Sequence, residues 1–253
     1  MRRVLVFIIA ALLFVLVVVV FRTARWSELP DEASLSWAHA PMVYSIGMME
    51  GDSPLSVTNS VAPEDKPVLT ASDVTDVKAS SVADPFMVKS GDLWYMFFEV
   101  MNIGSGHGDI GMAESSDGRS WTYGGIVLDE PFHLSYPCVF EWNDKFYMVP
   151  EAYHSRAIRL YEADNFPGHW VFVTNLVEGC YVDPTVFKDD NGWWLLACSG
   201  ANRNLFLFHS DELLEGWKEH PLSPVVRNNI RSARPGGRAV YYDHRFFRFA
   251  QDC

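Results

Sequence analysis

Positive charge is scarce in this chain. Against 32 aspartates and glutamates there are only 20 lysines and arginines in 253 residues, and four of these, Arg2, Arg3, Arg22 and Arg25, crowd into the first 25. The remainder is therefore strongly acidic, which argues against binding a nucleic-acid backbone and suits a neutral or cationic ligand. Cysteine is scarce too. Cys138, Cys180, Cys198 and Cys253 have no zinc-type spacing; Cys138 and Cys198, on blade strands, read as small buried residues, while a disulfide between one pair stays open. No glycine-rich phosphate loop, serine-nucleophile elbow or calcium-loop spacing is present. No metal and no cofactor are expected.

Long apolar runs are also few, with one exception. Val4 to Phe21 is eighteen consecutive apolar residues without charge or proline, about the length that crosses a bilayer as a helix. The run is flanked by arginines and lacks a small-x-small cleavage site, so residues 1–26 are expected to be an uncleaved signal anchor. Arg2, Arg3 and the terminal amino group outweigh Arg22 and Arg25, which places the rest of the chain on the non-cytoplasmic side: periplasmic, extracellular or luminal. Residues 27–80 read as a juxtamembrane segment in which a strand near Met42–Ile46 closes the last unit of the fold.

Residues 81–253 are built on a repeat. Asp84-Pro85-Phe86 leads through a turn at Gly91-Asp92 into an aromatic-rich strand ending at Glu99, and Tyr136-Pro137 leads through Asn143-Asp144 to Glu151. Asp183-Pro184 leads through Asn191-Gly192 to Cys198, and a weaker fourth copy from Gly236 turns at Asp243-His244 and reaches Gln251. The anchors at 84, 136, 183 and 236 lie 52, 47 and 53 residues apart. Each copy is a hairpin whose turn residues tolerate the positive φ that a tight reversal needs. After the first three hairpins, Trp121, Trp170 and Trp217 stand at the same station, suited to packing between neighbouring units. A period of about 50 residues containing several short strands is the signature of propeller blades. The expected fold is all-β: a five-bladed β-propeller, incomplete because its fourth unit stops after two strands, preceded by one transmembrane helix. The half unit suggests the front portion of a longer protein.

Antiparallel pairing puts the start of each first strand beside the end of the second. Asp84, Glu99, Tyr136, Glu151, Asp183, Asp252 and the arginines of Arg234-Pro235-Gly236-Gly237-Arg238 then share one axial face, with His107 in a glycine-rich loop beside it. Asp84, Glu151 and Asp183 are the candidate catalytic residues, because two carboxylates across a cavity serve as acid and base in glycoside hydrolysis. Glu99, His107, Tyr136, Arg234, Arg238 and Asp252 are the candidate ligand-binding residues, the arginines through bidentate recognition of an anion. Each also has a plainer reading: Asp-Pro as a turn, Glu99 as a solvated rim carboxylate, and His133, His154 and His209 as packing or surface residues.

Asp84-Pro85-Phe86, Tyr136-Pro137, Tyr147 to Glu151, Asp183-Pro184, the Phe166-Pro167 to Trp170 turn, Arg234 to Arg238 and Ala250 to Cys253 together carry a resemblance. They resemble the N-terminal domain of glucosamine inositolphosphorylceramide transferases, which is similar in plan to family 43 five-bladed glycoside hydrolases. The resemblance implies sugar handling, a membrane anchor and a separate glycosyltransferase domain. It matches Asp84 to the base aspartate of the furanosidase-like propellers, whereas Tyr136 stands where their second aspartate would be. The reading that follows is a membrane-anchored propeller binding a glycan, glycolipid or nucleotide sugar within a glycosyltransferase system. The alternatives are a glycoside hydrolase-like enzyme using the axial carboxylates and a protein-interaction propeller.

Overall fold

The computed structural model describes the backbone of residues 4–9, 14–22, 43–61 and 66–253, and the side chains of 43–57, 61 and 66–253. Strand dominates throughout. An N-terminal sheet holds β1 (Val4–Ile9), β2 (Phe14–Arg22), β3 (Val43–Ser53) and β4 (Ser56–Ser60) in that order. Blade one is β5 (Ala79–Ser90), β6 (Leu93–Asn102), β7 (His107–Ser115) and β8 (Thr122–Leu128). Blade two is β9 (Ser135–Trp142), β10 (Lys145–Glu151), β11 (Ala157–Asn165) and β12 (His169–Glu178). Blade three is β13 (Tyr181–Asp189), β14 (Gly192–Ser199), β15 (Leu205–Ser210) and β16 (Lys218–Glu219), and the fourth unit is a hairpin of β17 (Val240–Tyr242) and β18 (Arg245–Phe247).

The repeat predicted from sequence is thus present as three antiparallel four-stranded sheets and a shorter hairpin. The sheets follow one another through contacts of β3 on β5, β5 on β9 and β9 on β13. Ile46 on β3 bridges Leu69 in the segment leading to blade one, so the strand expected near Met42–Ile46 packs beside the first blade. Over the apolar run expected as a membrane helix, the described backbone is strand, in keeping with its β-branched valines. Residues 10–13 lie outside the described residues, and among those described no helix is long and apolar enough to cross a membrane.

Aromatic packing holds the blades against each other. Trp170 of blade two meets Phe97 of blade one edge-on at 5.3 Å, and Phe97 is fully buried. Burying such a ring contributes roughly 1.5–3 kcal/mol. Trp142 and Trp193 make the equivalent edge contact between blades two and three at 5.2 Å, and Phe187 meets Phe246 of the fourth hairpin at 5.1 Å. Two tryptophans of the repeated station also close their own turns, Trp170 donating to the Pro167 carbonyl and Trp217 to that of Leu213. All four cysteines are free thiols.

One irregularity, repeated three times, builds the site. The ladder slips between Ala83 and Phe86 in blade one and between Val182 and Thr185 in blade three, and in blade two opposite the slip between Val149 and Glu151. The residues in these bulges are Asp84-Pro85, Asp183-Pro184 and Tyr136-Pro137, and the residue before each proline has φ of 50°, 51° and 46° respectively. A proline has no N–H to give the ladder. The residue ahead of it is forced into a conformation that costs a non-glycine residue roughly 1–3 kcal/mol. The bulge turns that side chain out of the alternating pattern of the strand.

A candidate functional site of clustered carboxylates

Asp183 is the centre of the cluster. It is completely buried, and Arg234 donates to it through Nε at 2.5 Å and Nη2 at 3.3 Å. Gln251 adds a bond from Nε2 at 2.7 Å and donates also to the Pro235 carbonyl at 2.8 Å. Arg234 and Gln251 come from opposite sides of the fourth unit. They are held level by the Gly236 N–H to Phe249 bond and the Gln251 N–H to Arg234 bond. The surrounding carboxylates, Asp183 first, raise the Arg234 pKa further, so its charge is secure.

Three more carboxylates crowd the same space. Asp84 is pushed up to about 7, first by burial and then by the charge of Asp183. Glu99, at the end of β6, is pushed up to about 8 by burial and by Asp84 and Asp183. Glu151, at the end of β10, is pushed well up, first by burial and then by the charge of Asp183. Like charges in one low-dielectric space cannot all ionise. Near neutrality the site therefore holds protons on groups that elsewhere would be carboxylates. The Oε2 of Glu151 is buried without a hydrogen-bond partner, an unspent acceptor or donor of the kind a bound ligand satisfies.

The structure brings together Asp84, Glu99, Glu151, Asp183 and Arg234 from the sequence-derived set and leaves four others out. Tyr136 is fully buried, and its hydroxyl meets Thr185 Oγ1 at 2.9 Å and the Gly237 N–H at 2.7 Å. It ties blade two to blade three and the fourth unit. Arg238 donates to the Met87 and Val139 carbonyls at 3.2 and 2.6 Å and lies 5.9 Å over the Phe86 ring. Its guanidinium is a tie between blades rather than an anion clamp. Asp252 is exposed and lies 3.9 Å from Arg231. Its neighbour Gln251 faces Asp183 instead, because residues alternate in direction along an extended segment. His107, the first residue of β7, faces Asp109 at 3.3 Å rather than the carboxylate cluster.

One group escaped the sequence reading as a neighbour of the site. His133, in the loop before β9, has Nε2 at 3.6 Å from Glu99 Oε1, while its Nδ1 accepts the Gly108 N–H at 2.9 Å. Burial lowers its pKa, with His154 and His107 adding to the effect, which keeps the ring neutral. A histidine in a polar loop carries no periodic signal, so only the fold reveals it. Cys198 occupies the repeat station filled elsewhere by Glu99 and Glu151. It is a buried thiol, raised to about 11 by burial and by Asp183, so that blade gives the site no second carboxylate.

Residues 39–253 match the model of a protein family described as glucosamine inositolphosphorylceramide transferase 1, N-terminal. The chain belongs to this family. Similar curated proteins are the glucosamine inositolphosphorylceramide transferases 1 of Oryza sativa subsp. japonica and of Arabidopsis thaliana. The first is 36% identical over 246 residues, 89% of this chain and 32% of that protein. The second is 37% identical over 232 residues, 83% of this chain and 30% of that protein. The chain thus spans about a third of the length of the relatives it matches. Among solved structures, the fold of this family member is similar to the GH43_1 enzyme of Xanthomonas citri complexed with xylotriose, with TM-score 0.68, 10% identity, and 97% of this chain and 80% of that one covered. It is also similar to a GH43 β-xylosidase/α-arabinofuranosidase from a compost microbial metagenome, with TM-score 0.69, 10% identity, and coverage of 97% and 84%. At such identity the likeness establishes the propeller-type fold of glycoside hydrolases for this family member.

Proposed function

We propose that this domain binds the sugar of a glycan or glycolipid headgroup in its carboxylate cluster and serves a glycosyltransferase system as its recognition component. The observation that carries this reading is the convergence of Asp84, Glu99 and Glu151 on Asp183 and Arg234, with Glu151 Oε2 left without a partner. Protonated carboxyls donate to sugar hydroxyls and ionised ones accept from them, so a cluster poised between the two states reads a polyhydroxylated ligand from several sides. An amino sugar gains more. Its ammonium lowers the pKa of neighbouring carboxyls and drives protons out as it binds. Membership of a family named for glucosamine and inositolphosphorylceramide supports that ligand class.

Binding rather than cleavage is favoured by the state of Asp183, whose oxygens are taken by Arg234 and Gln251, and by Tyr136 at a station where a hydrolase-like propeller would place an aspartate. Titration calorimetry of the domain with glucosamine glycosides, inositol phosphates, xylosides and nucleotide sugars tests the proposal. Saturable binding with proton release to buffer supports it, and no binding across the panel defeats it. A hydrolase-like reading rests on one specific pair, Asp84 as base and Glu151 as acid, both with raised pKa as acid–base catalysis near neutrality requires. Turnover of aryl glycosides abolished by both Asp84→Asn and Glu151→Gln is its test.

The apolar run Val4–Phe21 supports membrane attachment of the domain on the non-cytoplasmic side, as an anchor flanked by arginines. Extraction of the full chain by detergent but not by alkaline carbonate is the expected behaviour. Release by carbonate contradicts it.

A further inference from the structure

Outside the carboxylate cluster, blade one carries a second group of chemically matched side chains. His107 and Asp109 lie on β7, two residues apart on one face, and Asp129 follows the end of β8. Single ligand atoms of the three lie within 4.8 Å of one another. Asp109 is almost wholly buried, 1% exposed. Its Oδ2 accepts from Asn102 Nδ2 at 2.8 Å, whereas its Oδ1 is buried with no hydrogen-bond partner and faces the His107 Nδ1 at 3.3 Å. A buried carboxylate oxygen without a donor is costly. Hydrogen bonding within the chain leaves that cost standing, and a cation removes it.

We propose that His107, Asp109 and Asp129 form a divalent-cation site that pins the β6–β7 turn to the end of β8, taking a first-row metal such as Mn2+ or Zn2+. The donor set decides the class of ion. An imidazole nitrogen beside two carboxylates suits these metals, while Ca2+ prefers an all-oxygen shell of six or more ligands. Donor atoms around such an ion sit roughly 3–4 Å from each other. The exposed Asp129 side chain supplies the small inward movement. Asn102, which donates to Asp109 and accepts the Gly104 N–H at its Oδ1 at 2.8 Å, orients the central carboxylate from outside the shell, as metal ligands are commonly oriented.

The pinned turn has a neighbour in the carboxylate cluster. Gly108, between the two β7 ligands, donates its N–H to His133, which faces Glu99. A side chain at residue 108 would collide with the Leu134 carbonyl at 2.5 Å, so the strand and the His133 loop have no slack between them. Ion binding fixes the position of His133.

The test uses the purified chain stripped with a chelator. MnCl2, ZnCl2 and CaCl2 are titrated separately by calorimetry, and Co2+ absorbance reports nitrogen and oxygen coordination. One Mn2+ or Zn2+ per chain is expected, with a rise in Tm, and affinity falls roughly tenfold or more in His107→Gln and in Asp129→Asn. Asp129 is exposed, so Asp129→Asn keeps the fold even where Asp109→Asn does not. Absence of saturable binding, unchanged affinity in both variants, or binding of Ca2+ alone overturns the proposal.

Discussion

Arg234 and Asp183 lie 51 residues apart in sequence and 2.5 Å apart in the folded protein, the guanidinium Nε donating to the carboxylate Oδ2. The contact joins the strained opening of blade three to the fourth unit. Because Asp183 is completely buried and Arg234 is 27% exposed, the pair is costly to break from one side. Arg234→Met is expected to lose about 3 kcal/mol, the low end for an unpaired buried charge. Urea denaturation measures it. The double variant Arg234→Met/Asp183→Asn regains much of that loss, since it removes the stranded charge as well.

The clustered carboxylates make stability fall as pH rises. Asp84 at about 7 and Glu99 at about 8 bind protons in the folded state that they would release in the unfolded chain, where such groups titrate near about 4. Between those limits the native protein holds more protons, so its stability declines from about pH 4 to about pH 8. Thermal melts across this window are expected to show a falling Tm. Asp84→Asn flattens the upper part of the curve and raises Tm at pH 8 more than at pH 5. A Tm independent of pH, or rising with it, would contradict this assignment.

Tyr136→Phe separates the structural from the ligand-binding interpretation of its station. Removing the hydroxyl strands the buried Gly237 N–H and Thr185 hydroxyl, an expected cost of about 1–3 kcal/mol. Sugar affinity stays unchanged within the folded protein. A large loss of affinity without loss of stability would return Tyr136 to the site.

The repeat and its hairpins were legible because short-range chemistry writes them. Aromatic strands, turn pairs such as Asn143-Asp144, and the X-Pro openings recur at nearly fixed intervals, and the same openings become the bulges that turn Asp84 and Asp183 out of their strands. Arg234 was legible from the glycine-rich turn beside it. Its partner Gln251 sat at the right repeat position, yet the carboxylate of Asp252 drew the assignment, and only the direction of the extended segment separates the two. Tyr136 and Arg238 share the axial stations but face inward, an orientation that depends on neighbouring blades and is absent from local pattern. His133 and the grouping of Asp129 with His107 arise from loops meeting across strands. No sequence spacing encodes that meeting.

The most direct test of the central claim is calorimetric binding of glucosamine glycosides and inositol phosphate headgroups to the wild-type domain and to Glu151→Gln, with aryl-glycoside turnover measured on the same samples. Saturable binding of the amino sugars, weakened about tenfold or more in Glu151→Gln as expected for loss of the charged hydrogen bond that forms when the ammonium drives the proton off Glu151, and no turnover in either sample is the predicted result. Binding unaffected by Glu151→Gln, or glycoside cleavage that Asp84→Asn and Glu151→Gln both abolish, would contradict a recognition role for the carboxylate cluster.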